Sequence, residues 1–493
     1  MNATAINVTR TNIVLTPDPS RVLLRPFFPG DAQRIGAIVA RIMTLTEERV
    51  VSLLEEVAAE FSWRHWHIQE LFLERFEQVS AAIPANAALS EKRRMLIGSY
   101  FLAEYSVESA ALFNPSLVPH PDQSDLPPGA VRFVLSLRAT GEGHISSITF
   151  RTGIIHADHR IEVVTPTGLL TEPRQIPNSR YETPLFARKL QEMGLVGGFT
   201  QRVTNHLGDC FGLQELRAAI DAELKQEGLA DGVLHDDQNA AQAIWTLARS
   251  NYEVQFQPHQ QLSERILFPA TPSQRNGIED ARFVHFRNDD GSHTYYATFT
   301  AFDGKAVMPE LVETADFLRF RFVTLNGPAA QNKGMALFPR KIDGRYAMLS
   351  RQDNESIYIM FSDNVHFWNE HKVLLQPRFS WELVQLGNCG SPIETDAGWL
   401  VLSHGVGPMR KYSIGAFLLD RDDPTKVIGR LREPLLQPNQ NEREGYVPNV
   451  VYTCGAILHN KELIIPYGLA DRATGFATVP VDDVLAAMET EVS

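Results

Sequence analysis

Hydrophobic and polar residues follow two different periods along this chain. In the first 110 residues and again at about 185–250, apolar residues recur every three or four positions, a spacing typical of amphipathic helices. Residues 113–155 and 265–480 instead contain short alternating segments rich in Tyr, Phe and Val, interrupted by Gly, Asp and Asn. This second pattern predicts β-strands joined by tight turns. The chain therefore combines helical regions with a larger β region.

Capping signals mark the ends of several predicted helices. Thr44 precedes Glu47 by three residues, which is the spacing of a capping box. Ser90 opens the segment "SEKRRMLIGSYFLAEY" in the same manner. In the second helical block, "LQELRAAIDAELKQEG" ends at Gly228, and glycine commonly stops a helix.

The β region repeats itself. Four segments, each of which reads as strand, polar turn and aromatic strand, have apolar residues at corresponding positions, namely Phe283, Phe338, Ile393 and Ile457. A segment at 130–150 is of similar type. Repeats of about this length indicate repeated all-β units, and a propeller is their natural closure. The alternative is a large β-sandwich with fortuitous spacing.

The fold class predicted from these patterns is mainly β, with a five-bladed β-propeller, an N-terminal helical region and a helical insertion. The helical N-terminal region covers 1–110 and the propeller covers 111–485. The insertion lies within the propeller at about 155–260.

Composition narrows the class of protein. The net charge of −13 argues against nucleic acid as a partner, because phosphate contacts need clustered Lys and Arg. No apolar run reaches the roughly 18 residues that span a bilayer, and the first residues lack the order of a secretory signal. The three cysteines are far apart, so neither a disulfide framework nor a zinc site is indicated. We therefore expect a cytoplasmic protein with no membrane partner, no metal and no cofactor.

Polar residues at equivalent places in different repeats are candidate site residues, because the innermost strands of propeller blades meet at the central channel. These candidates are Asn114, Arg138, Asp280, Lys333, Arg351, His404, Tyr412 and Asp471. Lys333, Arg351 and His404 form a potentially cationic cluster. Three converging positive groups would bind an anion, and phosphate is the commonest small anion that needs such a site. The alternative is that they are solvated surface charges.

Two adjacent carboxylates, Glu279 and Asp280, follow Gly277 in "RNGIEDARFVHF". Asp and Gly are the commonest turn-forming residues, so these acids could simply shape a turn. The other interpretation is that one of them transfers a proton to a substrate.

Several segments carry a resemblance to a known family. They are "ALFNPSLV", "LSLRATGEG", "GIEDARF", "NKGMALFPRKIDGRYAMLSR", "SPIETDAGWLVLSHGV", "KYSIGAFLLDRDDPTKVIGR", "VPNVVYTCGAI" and "YGLADRATGFA". In this order they resemble glycoside hydrolase family 130, which contains the β-mannoside phosphorylases and their hydrolytic relatives. The resemblance leaves out the helical segments at 1–110 and about 155–260.

The resemblance implies an inverting β-mannoside phosphorylase with Asp280 as its general acid, although Ala281 replaces the proline usual in this motif. The implied phosphate-binding residues are Lys333, Arg351, His404 and Tyr412. The implied substrate-binding residues are Asn114, Arg138, Glu279, Arg282 and Asp471. Inorganic phosphate would be the co-substrate and α-mannose 1-phosphate the product, and the reverse reaction would join mannose 1-phosphate to an acceptor sugar. The helical additions lead us to expect a homodimer.

Two alternative functions stay open. A β-mannosidase of the same family would need a second carboxylate to activate water, and Glu355 or Glu394 could supply it. A non-catalytic carbohydrate-binding propeller would need no intact acid. The three basic positions favour the phosphorylase. The histidine-rich segments "WRHWH" at 63–67 and "HADH" at 156–159 lack carboxylate or cysteine partners at ligand spacing, which is more typical of a surface or an interface than of a metal site.

Overall fold

The structure is a computed structural model of the chain. It describes residues 6–83, 88–176, 180–225, 231–302, 304 and 307–490. Within these residues the protein is mainly β, with helices concentrated before the first large sheet and between 183 and 249.

The α-helices of the described residues, in chain order, are α1 (Ala32–Met43), α2 (Glu47–Phe61), α3 (Ile68–Val79), α4 (Glu91–Ser99), α5 (Thr183–Glu192), α6 (Gly198–Asn205), α7 (Leu213–Leu224), α8 (Asp231–Arg249) and α9 (Val481–Ala486). In the part of the chain that the structure describes, no helix combines the length and the apolar character needed to cross a bilayer.

The strands of the first half are β1 (Thr9–Leu15), β2 (Val22–Pro26), β3 (Leu102–Ser106), β4 (Ala111–Pro119), β5 (Val131–Thr140), β6 (Ser146–Ile155), β7 (Ile161–Val163), β8 (Arg174–Gln175), β9 (Tyr181–Glu182), β10 (Cys210–Phe211), β11 (Tyr252–Gln255) and β12 (Ile266–Leu267). Those of the second half are β13 (Ile278–Arg287), β14 (His293–Phe302), β15 (Val307–Thr314), β16 (Arg319–Thr324), β17 (Ala336–Leu337), β18 (Tyr346–Ser350), β19 (Ile357–Ser362), β20 (Lys372–Leu375), β21 (Gln385–Asn388), β22 (Ile393–Thr395), β23 (Gly398–Val406), β24 (Tyr412–Leu419), β25 (Val427–Arg430), β26 (Val451–Tyr452), β27 (Ile457–His459), β28 (Glu462–Leu469), β29 (Ala473–Pro480) and β30 (Glu489–Thr490).

Most strands belong to five antiparallel sheets that follow one another along the chain. The first sheet has the order β4-β5-β6-β12, and the second has the order β13-β14-β15-β16-β11-β8. The third is β17-β18-β19-β20, the fourth is β21-β23-β24-β25-β30, and the fifth is β26-β28-β29-β1. The short strands β7, β22 and β27 lie beside β6, β23 and β28. In each order, the strand named first is called the first strand and its neighbour the second strand. The first strand has a pairing partner on one side only.

Neighbouring sheets contact each other in chain order, and the fifth sheet contacts the first. Strand β4 packs against β13 of the second sheet and β28 of the fifth. The Phe283 amide donates to Ser116 Oγ at 3.0 Å, and the Cys454 amide donates to the Pro115 carbonyl at 2.8 Å. The first strand of the first sheet is therefore held between two neighbours.

The N-terminal region is not wholly helical, which corrects the prediction for 1–110. Strand β1 pairs with β29 and forms the outer edge of the fifth sheet, while β2 and β3, which flank the four N-terminal helices in sequence, form an antiparallel pair. The reason is visible in β1, where exposed and half-buried side chains alternate as expected for an edge strand. Its partner lies more than 450 residues away in sequence, so local pattern could not reveal it.

The helix boundaries agree with the sequence in part. Ser90 caps α4 by accepting a hydrogen bond from the Arg93 amide at 3.1 Å, which confirms the predicted start. The prediction of a capping box at Thr44 is wrong, because Thr44 lies at the C-terminal end of α1 and Thr46 is the N-cap of α2. Helix α7 ends at Leu224, and Gly228 lies outside the described residues.

The repeat positions identify the sheets but are not equivalent within them. Phe283 lies in the first strand of the second sheet, whereas Phe338 follows β17. Ile393 and Ile457 lie in the short strands β22 and β27, which pair with the second strands of their sheets. The spacing therefore predicted one sheet for each repeat, but the four apolar residues do not occupy corresponding positions in those sheets.

A buried ion triad connects the N-terminal region to the first sheet. Glu108 accepts from Arg21 Nε at 2.9 Å and from Arg151 at 2.8 Å, and the three side chains are at most 4% exposed. Arg21 also donates to the carbonyls of Thr167 and Ser263, each at 2.6 Å. One guanidinium group thus joins three distant segments of the chain.

We expect Glu108→Ala to destabilise the protein strongly, because it leaves two guanidinium groups buried without their carboxylate. Removing one partner of a buried ion pair costs about 3–5 kcal/mol. Urea unfolding followed by tryptophan fluorescence measures the loss. Glu56→Ala is the matched control, since Glu56 pairs with Arg49 on the surface and its loss should cost less than about 1 kcal/mol. Equal shifts in the two variants would contradict the role of the triad.

Candidate active site

A cavity of about 300 Å³ lies where the first strands of the sheets begin and the second strands end. Some lining residues lie in the first strand of a sheet or within three residues of it, namely Asn114, Asp280, Lys333, Gln385 and Tyr452. Others lie in the second strand of a sheet or shortly after it, namely Arg138, Thr300, Arg351, His404 and Asp471, the last of which is two residues beyond β28. Every one of the five sheets therefore contributes from both of these strands.

The cavity contains all ten residues singled out from the sequence. They are Asn114, Arg138, Glu279, Asp280, Arg282, Lys333, Arg351, His404, Tyr412 and Asp471. The structure brings them together from five sheets, while their individual roles stay predictions.

Three of these side chains project from unusual backbone. Asn114, Asp280 and Asp471 have φ values of 48°, 56° and 51°, in the left-handed region that non-glycine residues rarely adopt. The register of β4 shifts at Asn114, and that of β13 shifts at Asp280, as in a β-bulge. Such strain is concentrated at functional sites, where a bulge redirects a side chain. Asp280 therefore belongs to a bulged strand and not to a simple turn.

Arg138 joins the carboxylates to the first sheet. Its guanidinium group donates to Glu279 Oε1 at 2.8 Å, to Asp280 Oδ1 at 3.2 Å and to Ser146 Oγ at 2.9 Å. The Asn114 amide donates to the same Asp280 oxygen at 2.6 Å. These donors fix the orientation of the Asp280 carboxylate.

The two aspartates of the cavity have pKa values shifted in opposite directions. Burial acts to raise the pKa of Asp280, but the positive charges of Arg138, Lys333 and Arg282 outweigh burial and lower it below its usual value. Burial and the negative charge of Asp280 raise the pKa of Asp471 to about 6. Paired acids with divergent pKa values are typical of sites that transfer protons.

Four cationic side chains of the cavity lack a carboxylate within ion-pair distance among the described residues: Arg282, Lys333, Arg351 and the exposed Arg410. Arg282 donates to the Cys389 carbonyl and to the Tyr452 hydroxyl, the latter at 2.5 Å. Arg282 and Arg351 are only 4% and 5% exposed. Buried charges are normally paired, so an anion beside these guanidinium groups would reduce the free-energy cost of burying them.

His404 is not a third positive charge, which corrects the prediction of a wholly cationic trio. Burial and the neighbouring Arg351 lower the pKa of His404 well below its usual value. Its Nε2 lies 3.0 Å from Arg351, and because a guanidinium group can only donate, Nε2 is the acceptor. The imidazole lies parallel to Tyr412 at 5.9 Å and edge-on to Tyr452 at 5.0 Å. His404 thus accepts a hydrogen bond from Arg351 as a neutral imidazole, a contact that depends on burial and that sequence could not show.

Glycine is required where β21 passes the histidine. A Cβ atom at Gly387 would lie 2.4 Å from His404 Cε1 and 3.0 Å from Arg351. Only a residue without a side chain lets this strand approach so closely.

Sequence analysis missed several lining residues, namely Thr300, Asn354, Gln385, Arg410, Val450 and Tyr452. Arg410 follows Met409, and both have left-handed φ values in the turn before β24. In the sequence Tyr452 lies in an apolar segment and resembles a core residue. The structure shows that its hydroxyl accepts a hydrogen bond from Arg282. A signal was available for Thr300, because it lies in the second strand of its sheet as Arg138 does.

The two acids considered as catalytic bases lie elsewhere. Glu355 is exposed, and Glu394 accepts from Arg340 at 2.7 Å. Neither is among the residues that line the cavity.

Comparison with known proteins places this site in a family. A family model described as beta-1,4-mannooligosaccharide phosphorylase matches residues 236–490. The 1,2-beta-oligomannan phosphorylase of Thermoanaerobacter sp. (strain X514) is 36% identical over 231 residues, which cover 45% of this chain and 75% of that protein. The beta-1,2-mannobiose phosphorylase of Listeria innocua is 34% identical over 241 residues, covering 47% of this chain and 66% of the relative.

The structure of the Listeria innocua enzyme in complex with beta-1,2-mannobiose aligns with a TM-score of 0.47 and 24% identity, over 78% of this chain and 93% of that one. The family match spans half of the sequence. The chain therefore belongs to glycoside hydrolase family 130, whose model is described as a mannooligosaccharide phosphorylase.

We expect Asp471→Asn to stabilise the protein at neutral pH. The folded pKa of about 6 lies above the usual value of 3.8, so the native state binds the proton more tightly and the free energy of unfolding falls as pH rises from about 4 to 6. An amide removes this loss, which is on the order of 1–3 kcal/mol above pH 6. Urea unfolding at pH 5 and pH 8 measures it. Asp482→Asn, at an exposed site, should show no such change. The prediction fails if Asp471→Asn and the parent protein lose equal stability between the two pH values.

Proposed function

We propose that this protein is an inverting β-mannoside phosphorylase. Asp280 donates a proton to the glycosidic oxygen, and inorganic phosphate attacks the anomeric carbon from the opposite face. The C–O bond to the leaving sugar breaks as the bond to phosphate forms, so a β-mannoside gives α-mannose 1-phosphate. The reaction is reversible, and mannose 1-phosphate with an acceptor sugar would regenerate the mannoside.

The observation that carries this proposal is the cluster of Arg282, Lys333 and Arg351, which have no carboxylate at ion-pair distance among the residues that the structure describes. Phosphate brings two negative charges and several acceptor oxygens, which match guanidinium donors well. It would relieve the cost of burying these cations and would be held beside Asp280. Arg351 is oriented for this purpose by the neutral His404.

Phosphate binding would also prepare the acid. A general acid must hold its proton before the reaction, yet Lys333 and Arg282 keep the pKa of Asp280 low. A phosphate dianion beside these cations would offset their charge and raise the pKa of Asp280, because a nearby negative charge favours the neutral carboxyl. The nucleophile would thus convert Asp280 into its reactive form.

The arrangement of carboxylates supports phosphate over water as the nucleophile. The acids among the described lining residues are Glu279, Asp280 and Asp471, and all three act on Arg138. An inverting hydrolase needs a base on the face opposite its acid. The side of the cavity around Arg351 and Lys333 instead presents cations, which bind an anion but do not deprotonate water.

The order of the sheets supports a five-bladed propeller as the frame of this site. Five sheets in chain order, each contacting the next and the last contacting the first, form a ring. First strands would then surround the central channel, with the cavity at one end of it.

We expect sugar release to require inorganic phosphate. Wild-type protein incubated with β-1,2- and β-1,4-mannobiose should give α-mannose 1-phosphate, detected by ³¹P and ¹H NMR, and little free mannose from the non-reducing end. Arg351→Ala should raise the KM for phosphate about tenfold or more, because a charge-assisted hydrogen bond contributes about 1.5–3 kcal/mol, and change the KM for mannoside much less. Equal rates with and without phosphate would overturn the proposal in favour of a hydrolase.

We expect Asp280→Asn to lower kcat on natural mannosides about 100- to 10,000-fold, because an amide cannot supply the proton. The same variant should retain most of its rate on a dinitrophenyl β-mannoside, whose leaving group needs no proton. Glu355→Gln and Glu394→Gln are controls that should leave phosphorolysis unchanged. Equal losses on both substrates would contradict the acid role, and a large loss in either control would indicate a base.

A further inference from the structure

A second and larger cavity lies between the N-terminal helices and the insertion. Its volume is about 760 Å³, which is within the range of ligand sites. One wall is the start of α3, a second is the segment 170–175 that leads into β8, and the third is the segment 255–260 after β11. The walls come mainly from the segments that precede the family match at 236–490.

Aromatic rings from two walls meet in this cavity. The Trp66 and His67 ring centroids lie 6.1 Å apart with their planes inclined at 29°, and His259 meets Trp66 edge-on at 5.4 Å. Both Trp66 and His67 belong to the "WRHWH" segment. His67 has a left-handed φ of 50°, and the preceding His65 is fixed to Glu104 at 2.7 Å. The backbone is therefore held in a strained form that directs the rings into the cavity.

Polar groups without partners accompany the rings. Trp66 Nε1 is buried and has no hydrogen-bond partner among the described residues. The side chains of Gln255 and Gln257 are exposed in the same cavity, and within the described part of the chain neither side-chain amide forms a hydrogen bond. An amide both donates and accepts, as does each hydroxyl of a sugar.

The charges of the side chains that line the cavity disfavour an anionic ligand. Glu172 pairs with Arg25 at 2.5 Å, and Glu70 lies 3.6 Å from Arg174. Glu74 adds a further carboxylate at the wall. The lining thus has an acidic surplus, in contrast to the cationic site around Arg351.

We infer that this cavity, the Trp66 groove, is a second, non-catalytic binding site for a neutral oligosaccharide. The apolar C–H faces of a pyranose ring pack on the Trp66 and His259 rings, while its hydroxyls bond to the exposed amides of Gln255 and Gln257. The volume accommodates more than one sugar unit. Under the proposed function the ligand is a β-mannoside chain, which the groove would hold on the enzyme while units are removed elsewhere.

Binding to Asp280→Asn tests this inference independently of turnover. Titration calorimetry with β-1,2- and β-1,4-mannohexaose should give two sites per chain, and cellohexaose, a neutral glycan that the mannoside site does not recognise, should give one. Adding Trp66→Ala should remove one site for each glycan, and Gln257→Ala, at an exposed position, should weaken the same site about tenfold. Trp63→Ala is the matched control, since Trp63 belongs to the same motif but is 67% exposed and does not line the groove.

Steady-state kinetics test the groove separately from the binding measurement. In the otherwise wild-type protein, Trp66→Ala should raise the KM for hexaose at least fivefold and leave kcat and KM for mannobiose unchanged. Loss of activity on every mannoside in wild-type protein would sink the proposed function without affecting the two-site binding result. One site per chain for all three glycans, with the same stoichiometry after Trp66→Ala, would overturn the groove. So would a dimer that Trp66→Ala converts to monomer in light scattering, because a second chain would then occupy it.

Discussion

The ion pair between Arg138 and Asp280 is the interaction on which the site depends. It joins the second strand of the first sheet to the first strand of the second sheet, at the point where β13 bulges. It orients the carboxylate and, with Lys333 and Arg282, keeps its pKa low despite burial. A strained backbone at Asp280 is tolerated because these contacts determine its position from several sides.

The same cavity contains charged groups whose burial lowers the stability of the protein. Within the described part of the chain, Arg282 and Arg351 are buried without carboxylate partners, and Asp471 holds an unfavourable charge above pH 6. Destabilising groups of this kind are typical of active sites, where function and stability are often traded against each other. The neutral His404 has the opposite effect, because it accepts from Arg351 and orients this cation without adding to the repulsion. A cluster that sequence presents as three charges is therefore two cations with a positioning residue, and Arg282 supplies the third charge.

The helical additions are integrated with the sheets and not merely appended. Strand β1 completes the fifth sheet, β8 and β11 extend the second, and Arg21 joins the N-terminal region to the first sheet through Glu108. These connections bring α3 and the insertion to one side of the second sheet, which creates the Trp66 groove. The additions thus gain a surface that neither segment has alone.

The sequence by itself determined the alternation of helical and β regions, the number of large sheets and, through the family motifs, ten of the residues that line the cavity. These features are local, since periodicity and short motifs involve neighbouring residues. Tertiary structure decided what depends on distant partners and on burial. Strand β1 finds β29 across the whole chain, Tyr452 becomes a site residue only when Arg282 reaches its hydroxyl, and His404 loses its charge because the fold removes it from water beside Arg351. Desolvation and long-range pairing have no counterpart in local sequence, which is why these outcomes required the folded protein.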